Sequence, residues 1–153
     1  MTQRLAYETH IPDGVRSLGG VHVYVSRCGL PKQLVDLVYL RASLINGCAY
    51  CIDSHTHDLR KAGMSDDKIA LVPVWREAES LFDARERAAL AWTEVVTEIA
   101  STHASEADYQ AAAAVFNEKE LADLTLAIGL INTYNRLAIS FRKTPQSLVG
   151  KTV

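Results

Sequence analysis

The sequence predicts an all-α domain of about six to seven helices in which the central helices are buried. Apolar residues recur at helical spacing in residues 32–45 and 118–141, where they cover most of the circumference of both predicted helices. Capping residues followed three positions later by Glu or Asp recur in the second half of the chain. The chain has 153 residues, of which 48% are hydrophobic and 22% are charged. This length and composition are typical of one globular domain.

Prolines, glycines and capping residues set the boundaries of the predicted helices. Residues 12–28 fit either a strand, because residues 21–25 alternate, or a helix with one apolar face. Pro31 suits a first helical turn, and Gly63 suits the position after a helix C-terminus. The predicted helices after residue 30 cover residues 32–45, 47–62, 66–72 and 84–100, a segment that begins after Ser105, and residues 118–141.

Two cysteines and a histidine lie close together just after a long apolar segment. Asn46 is a favoured N-cap, so we expect a helix that begins at Gly47 or Cys48 and holds both cysteines in its first turn. The unpaired N–H groups and the dipole at a helix N-terminus favour a thiolate. At this spacing the two Cα atoms are about 5 Å apart, which is within disulfide range. His55 lies four residues after Cys51 and can therefore serve as its base.

Asp36 lies inside the apolar helix predicted for residues 32–45, where an isolated carboxylate is costly. Such a group has a perturbed pKa and needs a hydrogen bond or a cationic partner. One interpretation is a structural ion pair with a nearby basic residue such as Arg41. The other is a role in the chemistry of the cysteine motif.

A zinc site is a weaker interpretation of the same stretch. Cys48, Cys51, His55 and His57 are residue types that bind zinc, but His57 points roughly opposite to Cys48 around a helix. Cys48 and His55 share a face but are separated by about 10 Å of helical rise, too far to bind one ion. We therefore predict no metal site. Cys28 has no partner at a useful spacing and is predicted to be a structural residue.

The last predicted helix, residues 118–141, carries both polar and apolar signals. Asn132, Asn135 and Arg136 form a cluster at i, i+3 and i+4, which we interpret as fixing helix packing. The apolar faces of this helix and of residues 32–45 exceed what a monomer of this size covers. We therefore expect a homo-oligomer.

Charge and hydropathy argue against several classes of protein. The formal net charge of −2 gives no electrostatic basis for binding nucleic acid or an anionic membrane surface. The N-terminus lacks the apolar run of a signal peptide, and no apolar stretch reaches the length of a membrane span. We therefore expect a cytoplasmic protein with no nucleic-acid or membrane partner. In that compartment a CxxC motif is more typical of a catalytic site than of a structural disulfide.

The motif resembles the carboxymuconolactone decarboxylase superfamily and, within it, the AhpD-like alkylhydroperoxidases. Asp36 lies upstream of the run Cys48-Ala-Tyr-Cys51-Ile-Asp-Ser-His55, which has the family's CxxC spacing followed by histidine. The match is close over residues 31–63. Looser similarity extends to residues 83–92 and 131–136.

The resemblance implies an AhpD-like helical domain over residues 1–153, with a redox core over residues 31–63 and a helix at residues 12–28. It also implies a thiol-dependent alkylhydroperoxidase or disulfide reductase of antioxidant defence, which has no bound cofactor. One cysteine meets the peroxide, becomes a sulfenic acid and condenses with the other. An external dithiol, in the family carried in some cases by a lipoylated protein, then restores the thiols. The implied assembly is a hexamer built as a trimer of dimers.

In the family pattern a histidine and an upstream acidic residue form a proton relay to the cysteines, and here His55 and Asp36 occupy those positions. Asp36 replaces the family's Glu, so its reach is shorter by one methylene. From the residues alone, the helix dipole favours Cys48 as the thiolate, whereas the adjacent base favours Cys51. Because His55 is the only base at i,i+4, we predict that Cys51 attacks the peroxide and that Cys48 resolves.

Two other functions stay open from the sequence. One is the decarboxylation of a carboxylated lactone, the founding activity of the superfamily, which has no use for a redox dithiol. The other is a non-enzymatic redox sensor, which would oxidise its dithiol without turnover. Thiol titration before and after peroxide treatment, followed by a coupled assay with dihydrolipoamide, distinguishes all three functions.

Overall fold

The computed structural model describes residues 2–150, and within this range it contains nine α-helices and no β-strand. The all-α prediction is confirmed, and seven of these helices have six or more residues. Two 3-10 segments, Val72–Leu81 and Gln146–Leu148, are also present. The helices are α1 (Tyr7–His10), α2 (Pro12–Val25), α3 (Lys32–Asn46), α4 (Ala49–Lys61), α5 (Asp66–Leu71), α6 (Ala84–Thr97), α7 (Ile99–Thr102), α8 (Glu106–Ala113) and α9 (Glu118–Phe141).

Helix α3 lies at the centre of the domain and packs against α4, α6 and α9. Its consecutive residues Leu37 and Val38 are both fully buried, although they belong to two separate apolar cores. Val38 faces the core that includes α6 and α9, whereas Leu37 faces the core shared with α4, α5 and the first 3-10 segment. Burial of one such side chain contributes about 1.5–3 kcal/mol. The apolar pattern all round this helix therefore reflects burial on two sides.

The predicted capping boxes are present at the N-termini of α6 and α9. The side chains of Asp83 and Asn117 each accept a hydrogen bond from the backbone N–H three residues ahead. The Glu side chain at that position accepts one from the backbone N–H of the capping residue. Helix α6 ends at Thr97, before the predicted boundary near residue 100. The chain leaves helical geometry at Glu98, with φ −99° and ψ 30°, and α7 begins a separate turn.

The turn between α3 and α4 corrects one prediction. Asn46 is the last residue of α3 and does not cap α4. Gly47 ends α3 in a left-handed conformation with φ 71°, which a residue with Cβ adopts only at a cost. Cys48 is then the N-cap of α4, with φ −85° and ψ 94°. The C-terminus agrees with the prediction, because Gly63 follows α4 with φ 87°.

The two ends of the described chain meet beside α4. The backbone N–H of Arg4 donates to the carbonyl of Phe141, at 2.9 Å. The ammonium of Lys143 forms an ion pair with Glu8 at 2.5 Å. The N-terminal segment and the residues after α9 therefore hold each other in place.

Helix α9 leaves part of its apolar surface uncovered, since Leu126 and Ile139 are each 43% exposed. The homo-oligomer, and the hexamer in particular, stay predictions. Between residues 2 and 150, none of the helices combines the length and hydropathy that a membrane crossing requires.

Candidate functional site

The two motif cysteines form a buried dithiol at the N-terminus of α4. Cys48 and Cys51 are 1% and 4% exposed, and their sulfur atoms are 2.7 Å apart. The backbone N–H of Cys51 donates to the sulfur of Cys48, at 3.4 Å. This N–H is one of those left without a carbonyl partner at a helix N-terminus. A disulfide needs sulfurs about 2.05 Å apart, so oxidation requires little movement.

The contacts around the dithiol favour the thiolate form of Cys48. The Cys51 thiol, the backbone N–H of Cys51 and the Asn135 amide together lower the pKa of Cys48 to about 7, against the cost of burial. The sulfur of Cys48 and burial raise the pKa of Cys51. A helix N-terminus acts in the same direction on its N-cap residue. These contacts favour Cys48 as the thiolate, whereas the sequence spacing predicts Cys51, and the identity of the attacking thiolate stays a prediction.

His55 lies one turn beyond Cys51 on α4 and is mostly buried. Burial lowers the pKa of His55 to about 4, so the imidazole is neutral near pH 7. Its Nδ1 has no hydrogen-bond partner among residues 2–150, and its ring lies 5.0 Å from that of Tyr39, centroid to centroid. Because its pKa is low, the imidazole can accept a proton only transiently. A stable thiolate–imidazolium pair with Cys51 is therefore disfavoured.

Asp36 lies next to His55, as the relay hypothesis requires. An oxygen of Asp36, a ring nitrogen of His55 and an oxygen of Asp58 all lie within 4.8 Å of one another. The carboxylate of Asp36 pairs with Lys32, at 2.5 Å. Burial nevertheless raises the pKa of the Asp36 carboxyl above its ordinary value.

The ion-pair interpretation named the wrong partner for Asp36. Arg41 pairs with Glu94, at 2.7 Å, and lies away from the dithiol. Lys32 takes its place one turn before Asp36 on α3, a spacing that the sequence already shows. Asp58 was also missed, although it lies three residues after His55 on the same helix. A metal ion bound by this acidic cluster would have to displace the ammonium of Lys32.

Polar side chains of α9 form hydrogen bonds with the end of α3, close to the dithiol. The amide of Asn46 donates to Asn132 and to Asn135, both at 2.9 Å. Asn135 is fully buried and donates to the hydroxyl of Ser43, at 3.0 Å. These bonds connect the end of α3 to α9, as the packing interpretation of the cluster expects. They also hold the Asn135 amide near Cys48, where it helps to lower the pKa of that thiol.

Each motif cysteine lines a different cavity. One cavity, which we call the Cys51 cavity, has a volume of about 330 Å³ and includes His55. The other, which we call the Cys48 cavity, has a volume of about 420 Å³ and is bounded by the end of α9 and by residues 142–148. Tyr50, Ala138 and Lys143 line both cavities. The aromatic side chains of the Cys51 cavity are Tyr7, Tyr39, Tyr50 and Tyr134.

A family model, that of the carboxymuconolactone decarboxylase family, matches residues 11–95. The chain belongs to this family. The matched range contains Asp36, both cysteines of the dithiol and His55. The uncharacterized protein YdfG of Bacillus subtilis (strain 168) is 32% identical over 140 residues, which are 92% of this chain and 95% of YdfG. The alkyl hydroperoxide reductase AhpD of Nocardia farcinica (strain IFM 10152) is 44% identical over 41 residues, which are 27% of this chain and 23% of that protein.

Solved structures show the same fold over nearly the whole chain. A crystal structure from Agrobacterium tumefaciens is similar with a TM-score of 0.90 and 38% identity, covering 94% of this chain and 98% of that one. That protein is of unknown function, with a suggested role as the antioxidant defence protein AhpD. The debrominase Bmp8 shares the fold with a TM-score of 0.76 at 18% identity, covering 91% of this chain and 74% of that one. These neighbours agree with the AhpD-like architecture that the motif predicts.

Proposed function

We propose that this protein is a thiol-dependent peroxidase of the AhpD kind, which reduces an organic hydroperoxide with its dithiol. The observation that carries the proposal is the pair of sulfurs 2.7 Å apart at the N-terminus of α4, with the pKa of Cys48 lowered to about 7. Membership of the carboxymuconolactone decarboxylase family and the partial match to AhpD proteins support it. A lactone decarboxylase has no need of two adjacent thiols.

The proposed oxidation takes place in two steps. The Cys48 thiolate attacks the distal peroxide oxygen, the O–O bond breaks, and the alkoxide leaves as an alcohol after taking a proton from water. Cys48 is then a sulfenic acid. The sulfur of Cys51 attacks the sulfur of Cys48, the S–O bond breaks, and the proton of the Cys51 thiol ends in the water that is released. The protein has become a disulfide and the peroxide an alcohol and water.

His55 and Asp36 serve the second step as a proton relay. The thiol of Cys51 is a poor nucleophile because its pKa is raised, so it must lose its proton as it attacks. His55 is neutral and on the same helix, one turn away, and accepts this proton. Asp36 and Asp58 lie within 4.8 Å of it and stabilise the transient imidazolium.

The cycle closes when an external dithiol reduces the disulfide, and no bound cofactor takes part. We propose that this reductant is a protein-borne dithiol, of which a lipoylated protein is the family example. A cytoplasmic location and a homo-oligomer, by resemblance a hexamer built as a trimer of dimers, complete the proposal.

Thiol counting with a turnover assay tests this function. Reduced protein is treated with cumene hydroperoxide, and we expect the loss of two thiols per chain, with catalytic peroxide consumption when dihydrolipoamide is added. Cys28→Ser should retain this behaviour, and Cys48→Ser should lose it. Oxidation in a single stoichiometric round would indicate a sensor. Unchanged thiols would refute dithiol chemistry and leave the decarboxylase.

A further inference from the structure

We propose that the two substrates reach the same dithiol by different entrances. The hydroperoxide reaches Cys48 through the Cys48 cavity, and the dithiol reductant reaches Cys51 through the Cys51 cavity. This inference rests on the proposed function and adds the route of each substrate. It assigns an organic hydroperoxide to one cavity and a dithiol reductant to the other.

The Cys48 cavity has the features needed for the peroxide. Cys48 lines it and Cys51 does not, so a molecule in this cavity lies against the residue whose sulfur accepts the N–H of Cys51. Ile139, Pro145 and Leu148 give it an apolar wall. A volume of about 420 Å³ with such a wall fits an alkyl or aryl hydroperoxide better than hydrogen peroxide.

The Cys51 cavity has the features needed for the reductant. Cys51 lines it and Cys48 does not, and His55 lies in the same wall. An incoming thiol must lose a proton before it attacks, and a neutral imidazole is the group that takes it. The hydroxyl of Tyr39 is buried without a partner among the described residues, which leaves a polar contact for an amide on the reductant's arm.

The leaving group also favours this direction of reduction. A thiolate of the reductant attacks Cys51, the Cys48–Cys51 bond breaks, and Cys48 leaves as the thiolate that the backbone N–H stabilises. The second thiol of the reductant then attacks its own sulfur in the mixed disulfide, forming a cyclic disulfide. Cys51 leaves and recovers a proton. Two electrons pass from the dithiol to the protein, and the resting pair is restored.

Matched tryptophan variants test the two routes. Ile139 lines only the Cys48 cavity and Val15 only the Cys51 cavity, and both are β-branched helix residues. Ile139→Trp should slow oxidation by cumene hydroperoxide at least about tenfold and leave reduction by dihydrolipoamide within about twofold. Val15→Trp should do the reverse. Tyr109→Trp, at an exposed position of α8 outside both cavities, is the control and should change neither rate.

Both half-reactions are followed by quenching with an alkylating reagent and counting the remaining thiols. A reversed pattern, or one in which both variants slow the same half-reaction, overturns the assignment. If a tryptophan variant loses its helical content, Ile139→Phe and Val15→Phe take its place with the same expectation. Failure of the proposed function is distinct, because the unmodified protein would then show no oxidation or no reduction.

Discussion

Replacing Cys51 by alanine tests the electrostatic basis of the site. The neighbouring Cys51 thiol is the largest cause of the lowered pKa of Cys48, followed in the same direction by the backbone N–H and the Asn135 amide. At pH 7 a thiol of pKa about 7 is about half thiolate, whereas at the ordinary value of 9.0 it is about 1% thiolate. Cys51→Ala should therefore raise the pKa of Cys48 and lower its reactivity at pH 7 by up to about 50-fold.

The assay is the rate of alkylation of Cys48 by iodoacetamide, measured across about pH 5 to 10 in a Cys28→Ser background. Mass spectrometry of the peptides separates the two motif cysteines. Reactivity should rise with pH through about 7 in the parent, because the thiolate is the reacting form, and through a higher midpoint in Cys51→Ala. Cys51→Ser is the matched control, since its hydroxyl still donates to Cys48, and it should lie between the two. A midpoint that stays near 7 in Cys51→Ala would show that the Cys51 thiol does not lower the pKa of Cys48.

Three further predictions concern the groups around the dithiol and the assembly. His55→Ala and Asp36→Asn should slow disulfide formation, measured by rapid quench, and should retain the helical content, measured by circular dichroism. For Asp36→Asn, a large fall in melting temperature with unchanged reactivity would instead show that Asp36 is a structural partner of Lys32. Asn135→Leu should lower the free energy of unfolding by about 1–3 kcal/mol, measured by urea denaturation, because the polar groups of Ser43 and Asn46 lose a hydrogen-bond partner. An unchanged denaturation midpoint would contradict the role of Asn135 in joining α3 to α9. Light scattering at micromolar concentration should give more than the monomer mass, and a monomer would refute the predicted oligomer.

The sequence predicts the helices well because their signals are local. The capping pairs that begin with Asp83 and Asn117 satisfy their own backbone groups within one turn, and both are present in the structure. The apolar periodicity of α3 and α9 likewise predicts their burial. The turn before α4 was placed less well, since Asn46 has capping chemistry but faces α9 instead. A tertiary contact here overrides a local preference.

The chemistry of the candidate site is harder to obtain from spacing. That His55 and Asp36 are adjacent depends on how α3 packs against α4, which a motif spacing only suggests. The neutral state of His55 depends on burial, and the lowered pKa of Cys48 depends on hydrogen bonds from Cys51 and Asn135, neither of which the sequence shows. The i,i+4 spacing of Cys51 and His55 predicts Cys51 as the attacking thiolate, whereas the contacts of the buried dithiol favour Cys48. The two cavities involve α1, α2, α9 and residues 142–148, and no local pattern reports them.

The ion pair between Glu8 and Lys143 joins residues 135 positions apart in the chain. Lys143 lies over Tyr50 and lines both cavities, so both are completed only after the last turn of α9 is in place. Closing so long a loop costs conformational entropy, so this contact forms late in folding. The N-terminal part of a chain also emerges from the ribosome first. The cysteines therefore leave the ribosome well before Lys143, which lines the cavities of both. During synthesis the dithiol is uncovered, and it depends on the reducing power of its compartment until the chain ends meet.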